Sequence, residues 1–417
     1  MKVARITFLI LLAALVAVGV STTSYGFHSG GVAECNGCHS MHAPNQAGSN
    51  LLIGIDASST CLTCHEKAGD TGPSGYHIST APADMPTGVP PKHRTPGGDF
   101  GWLKKGYSFA VRGTTNNEAA ETHGHNIVAS ANAYIADPVN TIAPGGAFVA
   151  NQLGCQSCHD PHGRGRRAGT DAVPTFSVPS AGVAGLPIKG SGSYKTSAAP
   201  DGSAAVGIYR ILAYPGYLGA AGVTWGGWPI AVAPNTYNQT EAAVQVRVAY
   251  GGTGTNTWAN WCSSCHGDMH TSSGRLVHPV DQALSGGDIA NNYNSYVKTG
   301  DLSGTATTSF TSLVPFAVAT SDFSILKGQA DNTAATSAGP AGTDKVTCLS
   351  CHRAHASAFP EMLRWNMENE FITVNGVYQI EQRGRTNAEA VASYYDRPVT
   401  KFASYQRVLC NKCHVKD

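Results

Sequence analysis

Cysteine and histidine occur in one fixed arrangement, C-x-x-C-H, at six places in this sequence of 417 residues. The six copies contain all of the cysteines, which are Cys35, Cys38, Cys61, Cys64, Cys155, Cys158, Cys262, Cys265, Cys348, Cys351, Cys410 and Cys413. Two thiols at this spacing add to the vinyl groups of a porphyrin, and the histidine that follows becomes the proximal ligand of the iron. The proximal ligands predicted in this way are His39, His65, His159, His266, His352 and His414. The pattern therefore predicts six covalently bound heme c groups, each with one iron (Fe), in a single chain.

Two other uses of paired cysteines fit this pattern less well. Zinc knuckles combine two C-x-x-C pairs, or one pair with two spaced histidines, and do not require a histidine directly after each pair. Disulfides between cysteines separated by two residues would close small rings and would connect no distant parts of the chain. Because histidine is only 16 of 417 residues, its presence after all six pairs favours heme attachment over zinc and disulfides.

The other histidines are candidates for the second axial ligand of each iron. An iron with only its proximal histidine is open to substrate, whereas a second protein ligand produces an electron-transfer site. Ten histidines lie outside the motifs, and eight of them compete for the six distal positions: His28, His42, His77, His125, His162, His270, His278 and His355. His93 and His123 lie in polar stretches and are the least favoured. Because there are more candidate histidines than distal positions, the sequence predicts two histidine ligands for every iron.

Four of these candidates lie just after a proximal histidine. His42, His162 and His355 each follow one by three residues, and His270 follows His266 by four. None of them can easily reach the far side of a heme whose near side its neighbour already binds. Such a histidine would bind a different iron and bring two hemes close together, as electron transfer between them requires.

The composition favours an irregular chain. Charged residues are 13% of the sequence, and 48 glycines and 22 prolines interrupt it. Hydrophobic periodicity predicts short helices at residues 240–250, 359–372, 387–395 and 402–414, and a β-hairpin around Asn375 and Gly376. We expect a multiheme cytochrome c fold, mostly irregular coil with short helices and few strands wrapped around a chain of six hemes. The hemes would supply the apolar mass that the small side chains lack.

The first 26 residues have the pattern of a secretory signal peptide. Lys2 and Arg5 form a basic start, residues 6–20 are apolar, and Ser24 and Gly26 are small residues before a cleavage site. The apolar run is too short for a membrane span. The sequence thus predicts an exported protein without a membrane span, in which residues 27–417 form a single hexaheme unit. Its location would be extracellular or at the outer cell surface, with the periplasm as the alternative.

The charge pattern gives no indication of nucleic acid binding, since the net charge is only +1. Such a low charge leaves little repulsion between copies of the chain and favours self-association. Arg164, Arg166 and Arg167 follow His162 and are predicted to be a solvated cluster. Beside a heme they would instead pair with its propionates.

Several longer segments resemble the OmcS-like family of hexaheme outer-surface c-type cytochromes of metal-reducing bacteria. These segments are residues 27–35, 69–73, 76–80, 95–102, 124–129, 158–163, 348–357 and 405–414. The resemblance extends from residue 27 to residue 417 and includes all six motifs, so it is specific.

This resemblance implies an extracellular filament, a cytochrome nanowire, in which subunits join head to tail and the hemes form one continuous stack. It also implies that all six irons have two histidine ligands. In the family, the fifth heme takes its distal ligand from the next subunit. The matching residue is His42, which would reach the heme of His352 in a neighbouring copy. A head-to-tail interface that does not close generates an open filament.

Three functions are compatible with these motifs. The favoured one is an electron conduit that serves other cytochromes, extracellular electron acceptors such as metal oxides, or partner cells, without a catalytic site. A multiheme oxyanion reductase needs an open iron position, which the surplus of histidines argues against. A soluble periplasmic shuttle would remain monomeric. Carbon monoxide binding distinguishes the conduit from the reductase, and electron microscopy distinguishes it from the shuttle.

Overall fold

The computed structural model describes residues 35–42, 51–67, 74–179, 185–235, 238–239, 245–270, 278–284, 288–333 and 336–414. The predicted signal peptide and His28 lie outside these ranges. Most of the described chain is irregular, as the composition predicts, and its regular elements are short. Among the described residues, no helix has both the length and the hydropathy needed to cross a bilayer.

The helices are α1 (Cys35–Cys38), α2 (Ala57–His65), α3 (Cys155–Cys158), α4 (Trp258–Ser263), α5 (Gly267–His270), α6 (Asp288–Ser295), α7 (Phe323–Gln329), α8 (Cys348–Cys351) and α9 (Asn387–Ser393). The strands are β1 (Ser74–Gly75), β2 (Tyr107–Val111), β3 (Thr114–Glu118), β4 (Arg166–Gly169), β5 (Pro174–Ser177), β6 (Val206–Gly207), β7 (Ala231–Val232), β8 (Asn238–Gln239), β9 (Ala249–Gly251), β10 (Ala317–Val318), β11 (Thr373–Val374) and β12 (Val377–Tyr378). Between them lie 3-10 turns at Pro82–Asp84, Phe100–Lys104, Ala120–His123, Ser130–Asn132, Ala150–Gln152, Tyr209–Ile211, Pro360–Met362, Gln379–Arg383, Val399–Lys401 and Leu409–Lys412.

The strands form small separate sheets. Three antiparallel pairs join β1 with β8, β2 with β3, and β11 with β12. Two three-stranded sheets have the orders β5-β4-β6 and β10-β9-β7, and β10 runs parallel to β9. In the part of the chain that the structure describes, no sheet is wide enough to form a layer, so positions in the fold are set mainly by loops.

The predicted hairpin and one predicted helix are confirmed. β11 pairs with β12 across Asn375 and Gly376, whose φ angles of 51° and 74° suit the type I′ turn of a two-residue hairpin loop. Helix α9 lies within the predicted segment 387–395, and Thr386 caps it by accepting the amide of Glu389.

The other three predicted helices are wrong. Residues 249–250 belong to strand β9, while segments 359–372 and 402–414 contain only single 3-10 turns; residues 240–244 lie outside the described ranges. In segment 359–372, Glu361 and Met362 have φ angles of 53° and 50°. This left-handed conformation ends a right-handed helix, so the local geometry overrides the hydrophobic period.

The buried clusters are rich in aromatic side chains. The largest includes Trp102, Trp365, Tyr293, Tyr378 and Tyr394. It draws on residues from Leu62 to Leu409, together with several motif cysteines that pack against it. Aromatic rings bury more surface per residue than aliphatic side chains, so this chain builds apolar clusters in spite of its small-residue composition.

Candidate heme-binding sites

Each motif begins on a helical turn. Helices α1, α3 and α8 consist of motif residues, α2 and α4 lead into the second and fourth motifs, and a 3-10 turn carries the sixth. In the five motifs other than the second, the histidine amide donates to the carbonyl of the first cysteine at 2.8–3.1 Å. Because residues i, i+3 and i+4 share one face of a helical turn, both thiols and the imidazole project to the same side.

Two motifs also supply their own helix cap. The hydroxyl oxygens of Ser157 and Ser350 accept the backbone amides of Gly154 and Thr347, each at 3.1 Å. Both serines occupy the position just before the second cysteine. A serine at this position therefore fixes the start of the short helix that presents the thiols.

A second segment forms a backbone hydrogen bond with the residue that follows the first, third and fifth motifs. The residue after the proximal histidine donates its amide to the carbonyl of Leu51, Ile211 or Met362 at 2.7–2.8 Å. These three residues have φ angles of 59°, 48° and 50°, a left-handed conformation that non-glycine residues rarely adopt. Such strain concentrates at functional sites. The sequence analysis missed this second segment because it follows its motif at a different distance along the chain each time.

The imidazoles of the motifs are held through Nδ1. In four motifs Nδ1 lies 2.7–2.9 Å from a backbone carbonyl oxygen: His65 with Tyr76, His159 with Arg210, His266 with Pro144, and His352 with Glu361. A carbonyl can only accept, so Nδ1 carries the hydrogen and Nε2 keeps its lone pair. This is the tautomer that a metal-binding histidine requires.

Four proximal rings each face a second histidine ring. The pairs are His39 with His162, His159 with His355, His266 with His125, and His414 with His278, and their ring centroids are 6.3, 6.4, 6.1 and 6.1 Å apart. Metal–imidazole bonds are about 2.0–2.1 Å long, so two imidazoles on opposite sides of one metal ion have centroids roughly 6 Å apart. These four pairs therefore have the separation that bis-histidine ligation needs.

The distal rings of two pairs are half-buried. Burial lowers the pKa of His125 to about 4, and the nearby His266 acts in the same direction. Burial likewise lowers the pKa of His355 to about 3, with a further contribution from His159 that outweighs the opposing effect of the Gly98 carbonyl. Both imidazoles are neutral near pH 7, which is the form that binds a metal ion.

The second motif is accompanied by His77. Tyr76, whose carbonyl holds Nδ1 of His65, directly precedes it in the chain. Burial lowers the pKa of His65, and the proximity of the buried His77 contributes to this shift. The structure thus brings this predicted distal ligand to the second motif.

The fifth motif differs from the others. Within the described residues, no second histidine ring faces His352, although its Nδ1 is held like those of His65, His159 and His266. His42 is exposed, and His270 lies 3.6 Å from the carboxylate of Asp281. Of the eight distal candidates, five are therefore brought to a motif, while His42 and His270 are not and His28 lies outside the described residues.

His93 and His123 are engaged through the nitrogen that a metal would need. Nε2 of His93 lies 2.7 Å from the carbonyl oxygen of Lys67. Nε2 of His123 lies 2.6 Å from a carboxylate oxygen of Glu118, and its Nδ1 lies 3.0 Å from the carbonyl of Trp102. Both side chains therefore have structural partners.

Consecutive motifs are also in contact through their thiols. The thiol of Cys155 lies close enough to that of Cys61 to raise its pKa, and the thiol of Cys348 acts in the same way on that of Cys262. The first pair joins the second and third motifs, and the second pair joins the fourth and fifth. Cofactors attached to these thiols would necessarily be close neighbours.

The residues present fit covalently attached heme. Two thiols and an imidazole share one side of each helical turn, and in four motifs a facing imidazole stands at the distance of a second axial ligand. At the sixth motif, Cys410 and His414 line a cavity of about 500 Å³. When bound, heme c would supply one-electron redox chemistry there.

The arginine cluster after His162 is not uniformly solvated. Arg164 is exposed, as predicted. The prediction is wrong for Arg167, which is fully buried, forms an ion pair with Asp171 at 2.7 Å and lies 3.8 Å above the ring of Phe323. Side chains alternate between the two faces of strand β4, so Arg167 points inward while the neighbouring Arg166 points to the opposite face.

Comparisons with known proteins identify the family, although no family model matches the chain. The chain is 49% identical over 425 residues to the C-type cytochrome OmcS of Geobacter sulfurreducens, which covers 94% of this chain and 95% of that protein. Two cryo-EM or filament structures are similar, namely the OmcS nanowires and the outer membrane cytochrome S filament of the same organism, with TM-scores of 0.84 and 0.83. Each is 47% identical and covers 94% of this chain and 100% of the solved one. The chain therefore belongs to the family of the c-type cytochrome OmcS.

Proposed function

We propose that this protein carries electrons outside the cell as a heme-stacked filament of its own copies. The facing histidine rings are the observation that carries the proposal, because an iron with two histidine ligands has no position for a substrate. The relative OmcS forms nanowires, and 49% identity over nearly the whole chain supports the same assembly here. The protein would be an electron-transfer protein and not an enzyme.

Six covalently bound heme c groups would be held by the twelve motif cysteines. Five of the irons would have both ligands within one chain: His39 with His162, His65 with His77, His159 with His355, His266 with His125, and His414 with His278. The ring separations support four of these assignments, and Nδ1 hydrogen bonds of the proximal His159 and His266 support two of them further. The fifth, His65 with His77, rests on their proximity.

The remaining iron would link two subunits. His352 has its Nδ1 held by Glu361, and His42 is exposed on a different motif. If His42 of one copy binds the iron of His352 in the next, each subunit both gives and receives one ligand. A contact of this kind is head to tail and does not close, so it produces an open filament.

The export signal and the partners belong to the same proposal. Residues 1–26 would direct export, and residues 27–417 would form the mature hexaheme unit outside the cell or at its outer surface. Its partners would be further copies of itself, other cytochromes and extracellular electron acceptors. A monomeric periplasmic shuttle would leave the exposed His42 without a role, and an oxyanion reductase would require an iron with an open position.

Replacement of the exposed histidine tests this proposal. In His42→Ala, the subunit is expected to fold with all hemes attached but to form no filaments, and about one heme per chain should become able to bind carbon monoxide. Met41→Ala is the matched control, because Met41 is 78% exposed on the same segment and has no ligand atom for this iron in the proposal. Electron microscopy and carbon monoxide difference spectra provide the two readouts. Filaments of His42→Ala with every heme still low-spin would contradict the inter-subunit ligand.

A further inference from the structure

Asp160 lies between two of the proposed iron ligands. It directly follows His159, the proximal histidine of the third motif, and it precedes by two residues His162, whose ring faces that of His39 in the first motif. Asp160 is only 2% exposed. A single buried carboxyl group therefore stands beside the ligands of two different irons.

The carboxylate of Asp160 accepts three hydrogen bonds. One oxygen accepts the backbone amide of His162 at 3.0 Å. The other oxygen accepts the backbone amide of Arg164 and the hydroxyl of Tyr214, each at 2.8 Å. Amides can only donate, so they match the charged carboxylate, which can only accept. The bond to the amide of His162 also fixes the backbone from which that imidazole projects.

Dipoles, and not a cation, stabilise this carboxylate. In the part of the chain that the structure describes, no cationic side chain forms an ion pair with Asp160, whereas the buried Glu118 pairs with Arg385. Arg164 contributes its backbone amide to Asp160, but its side chain is exposed. A buried charge without a counter-charge acts strongly on its surroundings, because little solvent screens it.

The carboxylate is close enough to affect an iron bound by either histidine. A hydrogen bond of about 3 Å, a histidine of about 5 Å from amide to Nε2 and a metal–imidazole bond of about 2 Å place it within about 10 Å of an iron on His162. At about 10 Å and an effective dielectric constant of about 20, one unit charge changes an equilibrium roughly tenfold. A negative charge favours ferric iron, which carries one more positive charge than ferrous iron.

We propose that Asp160 is a positioning residue for His162 and that its charge makes the hemes of the first and third motifs harder to reduce. The inference rests on the ligand pairs of the proposed function. Because His159 and His162 belong to different irons, one carboxylate would lower two reduction potentials together. Electrons in the filament would then spend less time at these two hemes of each subunit.

The substitution Asp160→Asn tests the charge, since it keeps the shape and an acceptor oxygen for the amide of His162. The reduction equilibria of the first and third hemes should become about tenfold more favourable, which equals about 59 mV for a one-electron couple. Asp331→Asn is the matched control. Asp331 is also buried and accepts the amides of Thr333 and Thr336 in its own turn, but it is not adjacent to a proposed ligand. This control should change no heme by more than about twofold.

Redox titration followed by EPR distinguishes the hemes by the angle between their two imidazole planes, which sets the low-spin signal of a ferric heme. This angle is 9° for the pair at the first motif, 54° at the third, 33° at the fourth and 71° at the sixth. In wild type, the ferric signals of the 9° and 54° sites should persist to lower potentials than in Asp160→Asn. The signals of the 33° and 71° sites should disappear at the same potentials in both proteins.

Tyr214→Phe is a second test, which does not depend on whether Asp160→Asn binds all its hemes. It removes a dipole that opposes the carboxylate but keeps the charge, so the same two hemes should become about twofold harder to reduce. If both variants shift these hemes in the same direction, or neither shifts them more than Asp331→Asn does, the tuning by Asp160 is refuted. If wild type shows no ferric signal from a nearly parallel pair of imidazoles, the ligand pair at the first motif is wrong, and the proposed function fails with it.

Discussion

Glu118 is the centre of a buried ion cluster that supports two of the distal histidines. Its carboxylate accepts Nε2 of His123 at 2.6 Å and also pairs with Arg385. The side chains of these three residues are at most 5% exposed. The carbonyl of His123 accepts the amide of Ser357 at 2.9 Å, and Arg385 donates to the carbonyl of Ala358 at 2.6 Å. The cluster thus fixes the segments that contain His125 and His355.

The substitution Glu118→Gln is expected to destabilise the protein by about 3 kcal/mol. It removes the negative charge but keeps the shape, so Arg385 stays buried without its counter-charge. Breaking a buried ion pair from one side costs about 3–5 kcal/mol, and the amide oxygen can still accept one of the hydrogen bonds. The lower end of this range is therefore the expected cost.

Urea unfolding followed by tryptophan fluorescence measures this cost, because attached hemes quench tryptophan until the chain expands. Glu368→Gln is the matched control. Glu368 pairs with Arg383, but its side chain is 40% exposed, and such pairs contribute well under about 1 kcal/mol. If Glu118→Gln costs no more than Glu368→Gln, the cluster does not hold the distal segments, and this reasoning is wrong.

Three further expectations follow from the same contacts. Burial would raise the pKa of Glu118, but the hydrogen bond from His123 and the charge of Arg385 together lower it. The difference in the free energy of unfolding between wild type and Glu118→Gln should therefore be constant at neutral pH and shrink below about pH 4. Urea titrations across this pH range measure this difference. Gly98→Ala should prevent native folding and heme loading, because its Cβ would lie 1.7 Å from a carbonyl oxygen. Gly113→Ala is the control: Gly113 has a similar positive φ but open space around it, so this substitution should cost only about 1 kcal/mol. Heme stoichiometry and urea unfolding check both variants. His77→Ala should open one heme per chain to carbon monoxide while His93→Gln opens none, and equal binding by both variants would contradict the assignment of ligands.

The chemistry of this chain was predictable from its sequence because thiol addition to heme depends on local spacing. Cysteines at i and i+3 followed by histidine form one helical turn wherever they occur, and all six motifs do so. The hairpin at Asn375 and Gly376 was predictable for the same reason, since two residues with positive φ determine the turn. Short-range chemistry thus gave the cofactor type and the residues proposed to attach it.

The partners of the histidines depend on long-range contacts that no local pattern contains. His355 faces His159, almost two hundred positions earlier in the sequence, and His39 faces His162. The sequence argument required only that a histidine close behind one proximal ligand must bind another iron, and the geometry of His162 and His355 agrees with it. Which iron each one meets is decided by loops whose course follows from packing.

The wrong helices have a related physical cause. Segment 359–372 has a helical hydrophobic period, yet Glu361 leaves the helical conformation and turns its carbonyl to Nδ1 of His352 at 2.7 Å. Arg210 does the same for His159 at 2.9 Å, and both residues have positive φ angles. The hydrogen bond to the imidazole and the contacts around it offset a strain of about 1–3 kcal/mol per residue. Local helix propensity therefore fails to predict the structure where a backbone carbonyl accepts a hydrogen bond from a motif imidazole.

Backbone acceptors explain how a chain poor in charged side chains can control its metal ligands. A carbonyl that holds Nδ1 is supplied by any residue type, so the identity of Arg210, Pro144 or Ala354 is not what matters. Side-chain substitutions at these positions should leave ligand strength nearly unchanged, whereas a change in backbone conformation should shift it. Loop geometry would then set the reduction potentials of such a filament.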